Sequence, residues 1–280
     1  MDVLRMLVIL PFLLCRPSDS IHLGNGYTDL PAIPKVVYVT ASYPKGSPEQ
    51  KQTIRKLVID RGLALEYFDD DDRRASAELI SKALEEEGIV SSAYEAYASL
   101  RPFAYKADLW RYMILWHRGG VYVDANMQLL DDLATWVDFD VDELVLVGDQ
   151  SSGRYWNGMI AARPRSPALA AVIRDVVHNV LKRSYGGTDL DITGPEALSR
   201  SLMLSGAGIG IRADYRLREE AQGACGGYPN PPCKVNIYNF MDGSVLAKKA
   251  RMAYEAVHDH YSKLYRMHAV YCDEPGPPCA

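Results

Sequence analysis

Gly119 and Gly120 lie between a long apolar segment, "FAYKADLWRYMILWHR", and a short one, "VYVDA". No other stretch constrains the fold as much. The first segment carries apolar residues at helical spacing with no proline or glycine inside it, which makes a helix of residues 103–118. The second holds Val121, Tyr122 and Val123, a short run bounded by turn residues, which reads as a strand. Two glycines in succession stop the helix and turn the chain at once into that strand. The strand ends on Asp124, and Asn126 follows two residues later. As isolated residues, an aspartate and an asparagine at a strand end are ordinary turn formers.

The rest of the chain repeats this alternation. "IPKVVYVT" and "LALEYF" read as strands, and "SPEQKQTIRKLVIDRG" as a helix opened by Ser47 and Pro48 and closed by Gly62. "DDDDRRASAELISKALEEEG" starts with acids, which suit the positive end of a helix dipole. Residues 93–118 continue as helix, restarted at Pro102. On residues 103–118, Phe103, Ala107, Trp110, Met113 and Ile114 form an apolar stripe and make the helix amphipathic. "ELVLVGD", ending on Asp149, and "WNGMIAARP" are further strands. "SPALAAVIRDVVHNVLKRS" and "TGPEALSRSL" open helices, "KVNIYNF" is strand-like, and residues 245–257 read as a helix. Strands alternating with helices predict an α/β fold, one domain with a mostly parallel central sheet. Ligands of such sheets bind beyond the carboxyl ends of the strands, where Asp124 and Asp149 both fall. Asp108 and Arg111, three apart, share one face of the preceding helix. An ordinary surface ion pair is the alternative for them.

Charge and cysteines narrow the partners. The formal net charge is -5 and no dense Lys/Arg stripe is present, so a nucleic-acid partner is excluded. No G-x-G-x-x-G follows the first strand, which counts against a dinucleotide site. Residues 1–20 carry Arg5 and an apolar run from Met6 to Cys15, too short to span a bilayer comfortably. They read as a secretory signal or a short signal anchor, and membrane association rests on them alone. Cys225, Cys233, Cys272 and Cys279 then remain as two close pairs, read as two local disulfides with the other connectivities open. Both features place the chain in the secretory pathway, in the ER or Golgi lumen, or outside the cell.

"YKADLWRYMILWHRGGVYVDANMQLL" resembles the core of the DXD-type sugar-transferring enzymes, among them the initiating α-1,6-mannosyltransferases of fungi, capsular polysaccharide enzymes and the catalytic domains of the large clostridial glucosylating toxins. Ala107, Asp108, Arg111, Gly119, Gly120, Tyr122 and Asp124 stand in register with their pattern. "WNGMIAARPRSPAL" and "TGPEAL" resemble later segments of the same enzymes, and "HYSKLY" echoes a C-terminal one. The resemblance implies a GT-A (Rossmann-like) domain, placed over residues 31–271, and the Cys272–Cys279 pair makes residues 272–280 a disulfide-closed tail. It implies a nucleotide-sugar donor (UDP- or GDP-), a divalent cation, Mn2+ or Mg2+, and transfer of a hexose with retention. The acceptor would be a glycan, glycolipid or glycoprotein hydroxyl. Asp124 would hold the metal and touch the donor, Asp108 and Arg111 would hold donor-sugar hydroxyls, and Tyr122 would pack behind them.

Asn126 stands where the pattern has its second acid. Its amide oxygen can ligate a hard cation but brings no charge, so a non-catalytic binding relative on the same fold is the alternative reading. His260, in "HYSKLY", is the candidate to complete the metal site, against a helix-capping or surface histidine. Asp149 and Asn157 are candidates for the substrate side, against turn and structural roles.

Overall fold

The computed structural model describes residues 32–41, 58–149, 154–205, 217–222, 234–239, 243–249, 260–276 and 279. Residues 31–280 form one compact unit. Its strands are β1 (Val36–Thr40), β2 (Ala64–Phe68), β3 (Gly120–Val123), β4 (Met127–Leu129), β5 (Leu144–Gly148), β6 (Tyr155–Ala162), β7 (Leu217–Gln222), β8 (Lys234–Asn239) and β9 (Val245–Lys249). Its helices are α1 (Asp70–Glu86), α2 (Ala93–Ser99), α3 (Phe103–Arg118), α4 (Pro167–Leu181), α5 (Pro195–Leu204) and α6 (Tyr261–Arg266). The strands join one sheet in the order β2-β1-β3-β6-β5-β7-β8-β9-β4.

The expected α/β architecture is present. β2, β1 and β3 are parallel, β6 runs against β3, and β5 runs against β6 and therefore with β3. In this helix-flanked part only β6 is reversed. Beyond it, β5 pairs with β7 in parallel, and β7, β8, β9 and β4 continue antiparallel. β1 is buried along its whole length, as a strand covered on both faces must be. Its side chains divide by alternation: Val36 and Tyr38 enter the helix-side core, and Val37 and Val39 the core on the other face.

Local chemistry sets the helix ends. Asp69 caps α1, accepting from the backbone of Asp72, whose own carboxylate accepts from the backbone of Asp69. Ser166 caps α4 ahead of Pro167. Gly62 takes a left-handed conformation at the end of the Ile59–Arg61 turn, the stop read from the sequence. Residues 42–57, including Ser47 and Pro48, lie outside the described residues, as do residues 1–20, Cys225 and Cys233. Cys272 is bonded to Cys279. No helix among the described residues is long and apolar enough to cross a membrane.

Two expectations are corrected. α3 is not amphipathic: every residue from Tyr105 to Trp116 is buried, because α1, α4 and the sheet pack around it. The helix expected over residues 245–257 is a strand at its start. Val245–Lys249 is β9, held between β8 and β4, and this pairing on both edges overrides the helix preference of alanine and lysine.

The Gly-Gly corner needs both glycines. Gly119 has φ 65° and Gly120 φ 106°. A Cβ on Gly119 would lie 2.7 Å from Pro164 and 2.8 Å from Pro34, and one on Gly120 would lie 2.8 Å from Val36. α3 can return onto β3 only where no side chain stands between the corner and Pro34, Val36 and Pro164.

Candidate active site

α3 and β3 meet at a buried cluster. Arg111 Nη2 lies 2.9 Å from Asp108 Oδ1, and Nη1 lies 3.4 Å from Asp124 Oδ1. The same Nη1 donates to the Asn157 carbonyl at 2.7 Å, and Nε donates to the Ala107 carbonyl at 3.3 Å. The guanidinium sits over the Tyr122 ring, 4.5 Å from its centre. Tyr122 donates its hydroxyl to Asp124 Oδ1 at 2.8 Å. A planar guanidinium suits this position, since it meets two carboxylates, two carbonyls and an aromatic face at once.

Asp108 is as fully engaged. Asn157 Nδ2 donates to its Oδ1 and Thr193 Oγ1 to its Oδ2, both at 2.9 Å. Asn157 Nδ2 also lies 2.9 Å from the Tyr112 hydroxyl, which donates to the Thr193 carbonyl at 3.1 Å. Burial pushes the Asp108 carboxyl above its ordinary range, against the pull of Arg111, Thr193 and Asn157. Burial disfavours the Arg111 cation, yet Tyr122, Asp124 and Asp108 hold its pKa above the ordinary value. Burial also raises the Tyr122 phenol. Asp108 and Arg111 are therefore not the solvated ion pair of the alternative reading.

Asp124 is where the cluster opens. Its side chain is 25% exposed, against 6% for Arg111 and 11% for Asp108. Its N–H donates to the Gly158 carbonyl at 2.8 Å, and its own carbonyl accepts from Met127 N at 2.9 Å, closing a turn through Ala125 and Asn126. The turn reading of this stretch thus holds. No donor among the described residues reaches Asp124 Oδ2. Asn126 is 9% exposed, and its Oδ1 is buried without a hydrogen-bond partner among the described residues. A buried amide oxygen left unsatisfied is destabilising unless something else binds it.

Both oxygens are of the kind a hard divalent cation takes, and such a cation commonly combines one or two carboxylates with substrate phosphates and water. Among the described residues no three His, Cys, Asp or Glu side chains are grouped to hold a metal without such help. His260 caps α6, its Nδ1 accepting from Ser262 N at 3.3 Å, and its ring lies against Tyr261. Asp149 follows β5, two strands from β3, with its N–H on the Arg154 carbonyl. No bond among the described residues joins it to Asp108, Arg111 or Asp124. The Asn157 amide serves the wall of the cluster, turned to Asp108 and Tyr112. Two members, Thr193 and Tyr112, were not singled out from the sequence. Tyr112 carried a hint, four residues beyond Asp108 on the same helical face. Thr193 lies in "TGPEAL", and nothing local ties its hydroxyl to α3.

Residues 48–142 match the family model described as "Glycosyltransferase sugar-binding region containing DXD motif". That stretch contains Asp108, Arg111, Tyr122, Asp124 and Asn126. No curated protein matches the sequence. Among solved structures, the chain is similar to "PaToxG Glycosyltransferase", with a TM-score of 0.44 and 13% identity over 65% of this chain and 72% of that one.

Proposed function

We propose that the chain is a metal-dependent retaining glycosyltransferase that moves a hexose from a UDP- or GDP-sugar to a hydroxyl of a glycan, lipid or protein. The observation that carries this reading is Arg111 held between Asp108 and Asp124, beside the unpartnered Asn126 oxygen, within a stretch that matches a sugar-binding DXD region. Arg111 and Asp108 are locked by packing and by each other, so they orient donor-sugar hydroxyls without rearranging. Asp124 Oδ2 and Asn126 Oδ1 would hold Mn2+ or Mg2+, which when bound neutralises the departing diphosphate. Tyr122 fixes Asp124 from behind. The N-terminal apolar run and the Cys272–Cys279 bond support a place in the secretory pathway.

A second reading, a nucleotide-sugar-binding protein without transfer activity, is favoured by the amide at position 126. One experiment addresses both. UDP, GDP, UDP-glucose and GDP-mannose are compared in thermal shift with and without Mn2+, and the best binder is then incubated with saccharide acceptors. Ligands of the native state raise the melting temperature. A Mn2+-dependent rise with one nucleotide-sugar, followed by product, supports transfer. A rise without product favours the second reading, and no rise with any ligand defeats both.

A further inference from the structure

One carboxylate beside the site, that of Asp189, is not bonded to the Asp108 cluster among the described residues. Asp189 precedes Thr193 in the segment that closes on α3, and is half-buried. The Tyr105 hydroxyl donates to its backbone carbonyl at 2.6 Å. Its carboxylate accepts no hydrogen bond and makes no ion pair among the described residues. Tyr105 is 1% exposed and lies one helical turn before Asp108 on the same face of α3. Tyr261, the first residue of α6, is half-buried and packs its ring 5.6 Å from that of Tyr105. The His260 ring lies 4.3 Å from that of Tyr261. Burial, and after it the negative charge of Asp189, raises the Tyr261 phenol to about 12. Tyr105 thus joins the two on the flank of the Asp108 cluster, donating to the Asp189 backbone and packing against the half-buried Tyr261.

A carboxylate free to accept two hydrogen bonds matches a pair of adjacent sugar hydroxyls, and an aromatic ring matches the C–H face of a pyranose. We propose that Asp189 and Tyr261, backed by Tyr105, form a saccharide subsite: a pyranose packs on Tyr261 and donates two adjacent hydroxyls to Asp189. The inference rests on the transferase reading, and the ring bound is either the donor hexose or the acceptor's sugar.

The test compares parent, Asp189→Asn and Tyr261→Ala. Calorimetry measures UDP, GDP, UDP-glucose and GDP-mannose with Mn2+, and saturation-transfer NMR measures methyl α-mannopyranoside and methyl β-galactopyranoside. Asp189→Asn keeps its melting temperature, since no partner among the described residues loses a bond, so it carries the test even if Tyr261→Ala unfolds. The expected result is a loss of roughly tenfold or more in sugar affinity, the scale of a hydrogen bond to a charged group, with nucleotide affinity unchanged. Loss for the nucleotide-sugar alone assigns the subsite to the donor, and loss for the methyl glycosides alone assigns it to the acceptor. Unchanged affinities for every sugar overturn the subsite while leaving the transferase reading intact. Methyl glycosides that bind through Asp189 in a protein that ignores every nucleotide would keep the subsite and remove that reading. A parent that binds none of these probes overturns both.

Discussion

Arg101 and Arg111 both bury a guanidinium beside the same stretch of helix, one just before α3 and one within it. Their partners differ in kind. Arg101 donates to the carbonyls of Ala269, Cys272 and Glu274, and no carboxylate pairs with it among the described residues. Its backbone N–H binds the Val270 carbonyl, so one residue fastens the C-terminal segment to the body of the fold. Arg111 instead sits between two carboxylates, one of them partly open to solvent. Carbonyl dipoles accept from a cation but bring no charge, so Arg101 keeps its positive charge. A carboxylate–guanidinium–carboxylate row leaves net negative charge and an exposed oxygen. The first arrangement holds chain; the second can also hold a ligand.

The sharpest way to break this contrast is to remove each cation. Arg111→Met should lower unfolding free energy by about 3–5 kcal/mol, because Asp108 is left charged and buried. Urea denaturation measures it, and a loss no greater than that of Arg101→Met would erase the distinction. Next comes Asp124→Ala, which should cut transfer at least ~100-fold, about 3 kcal/mol of transition-state stabilisation, while the protein still melts cooperatively. A rate within tenfold of the parent would remove Asp124 from the machinery.

The structure explains why some of this could be read from residues alone and some could not. The Gly-Gly corner, the capped starts of α1 and α4 and the shared face of Asp108 and Arg111 are local matters of spacing and backbone preference. The closure of the cluster is not local. Asn157 reaches Asp108 from the reversed strand β6, and Thr193 from the segment before α5. Periodicity says which face of an element is apolar, not which distant segment covers it. For the same reason α3 read as amphipathic when it is covered on every side, and Val245–Lys249 read as helix when two strands claim its edges.

Two smaller effects sharpen the comparison. Arg101→Met should destabilise by about 1–3 kcal/mol, the scale of carbonyls left without a donor, and leave nucleotide-sugar affinity where it was. Weakened donor binding in that variant would mean that the C-terminal fastening belongs to the site. Asn126→Asp adds a unit charge beside Asp124, and the Mn2+ needed for donor binding should fall roughly tenfold. Overlapping metal titrations of parent and variant would show that position 126 faces away from the cation.

β3 and β4 are consecutive, joined only by the turn from Asp124 to Met127, yet β3 is third in the sheet and β4 is last, paired with β9. The turn that presents Asp124 and Asn126 is thus gripped by strands from opposite ends of the chain. Assembly must follow from this. Residues 48–142 contain the charged side chains but not the strand that pins β4, so a fragment limited to them lacks half of the frame around Asn126. Pairings so distant in sequence form late, after a large loop has closed. During refolding, helical signal and tryptophan burial should therefore return before any affinity for nucleotide, and a chain released before Val245 should have no such affinity to recover.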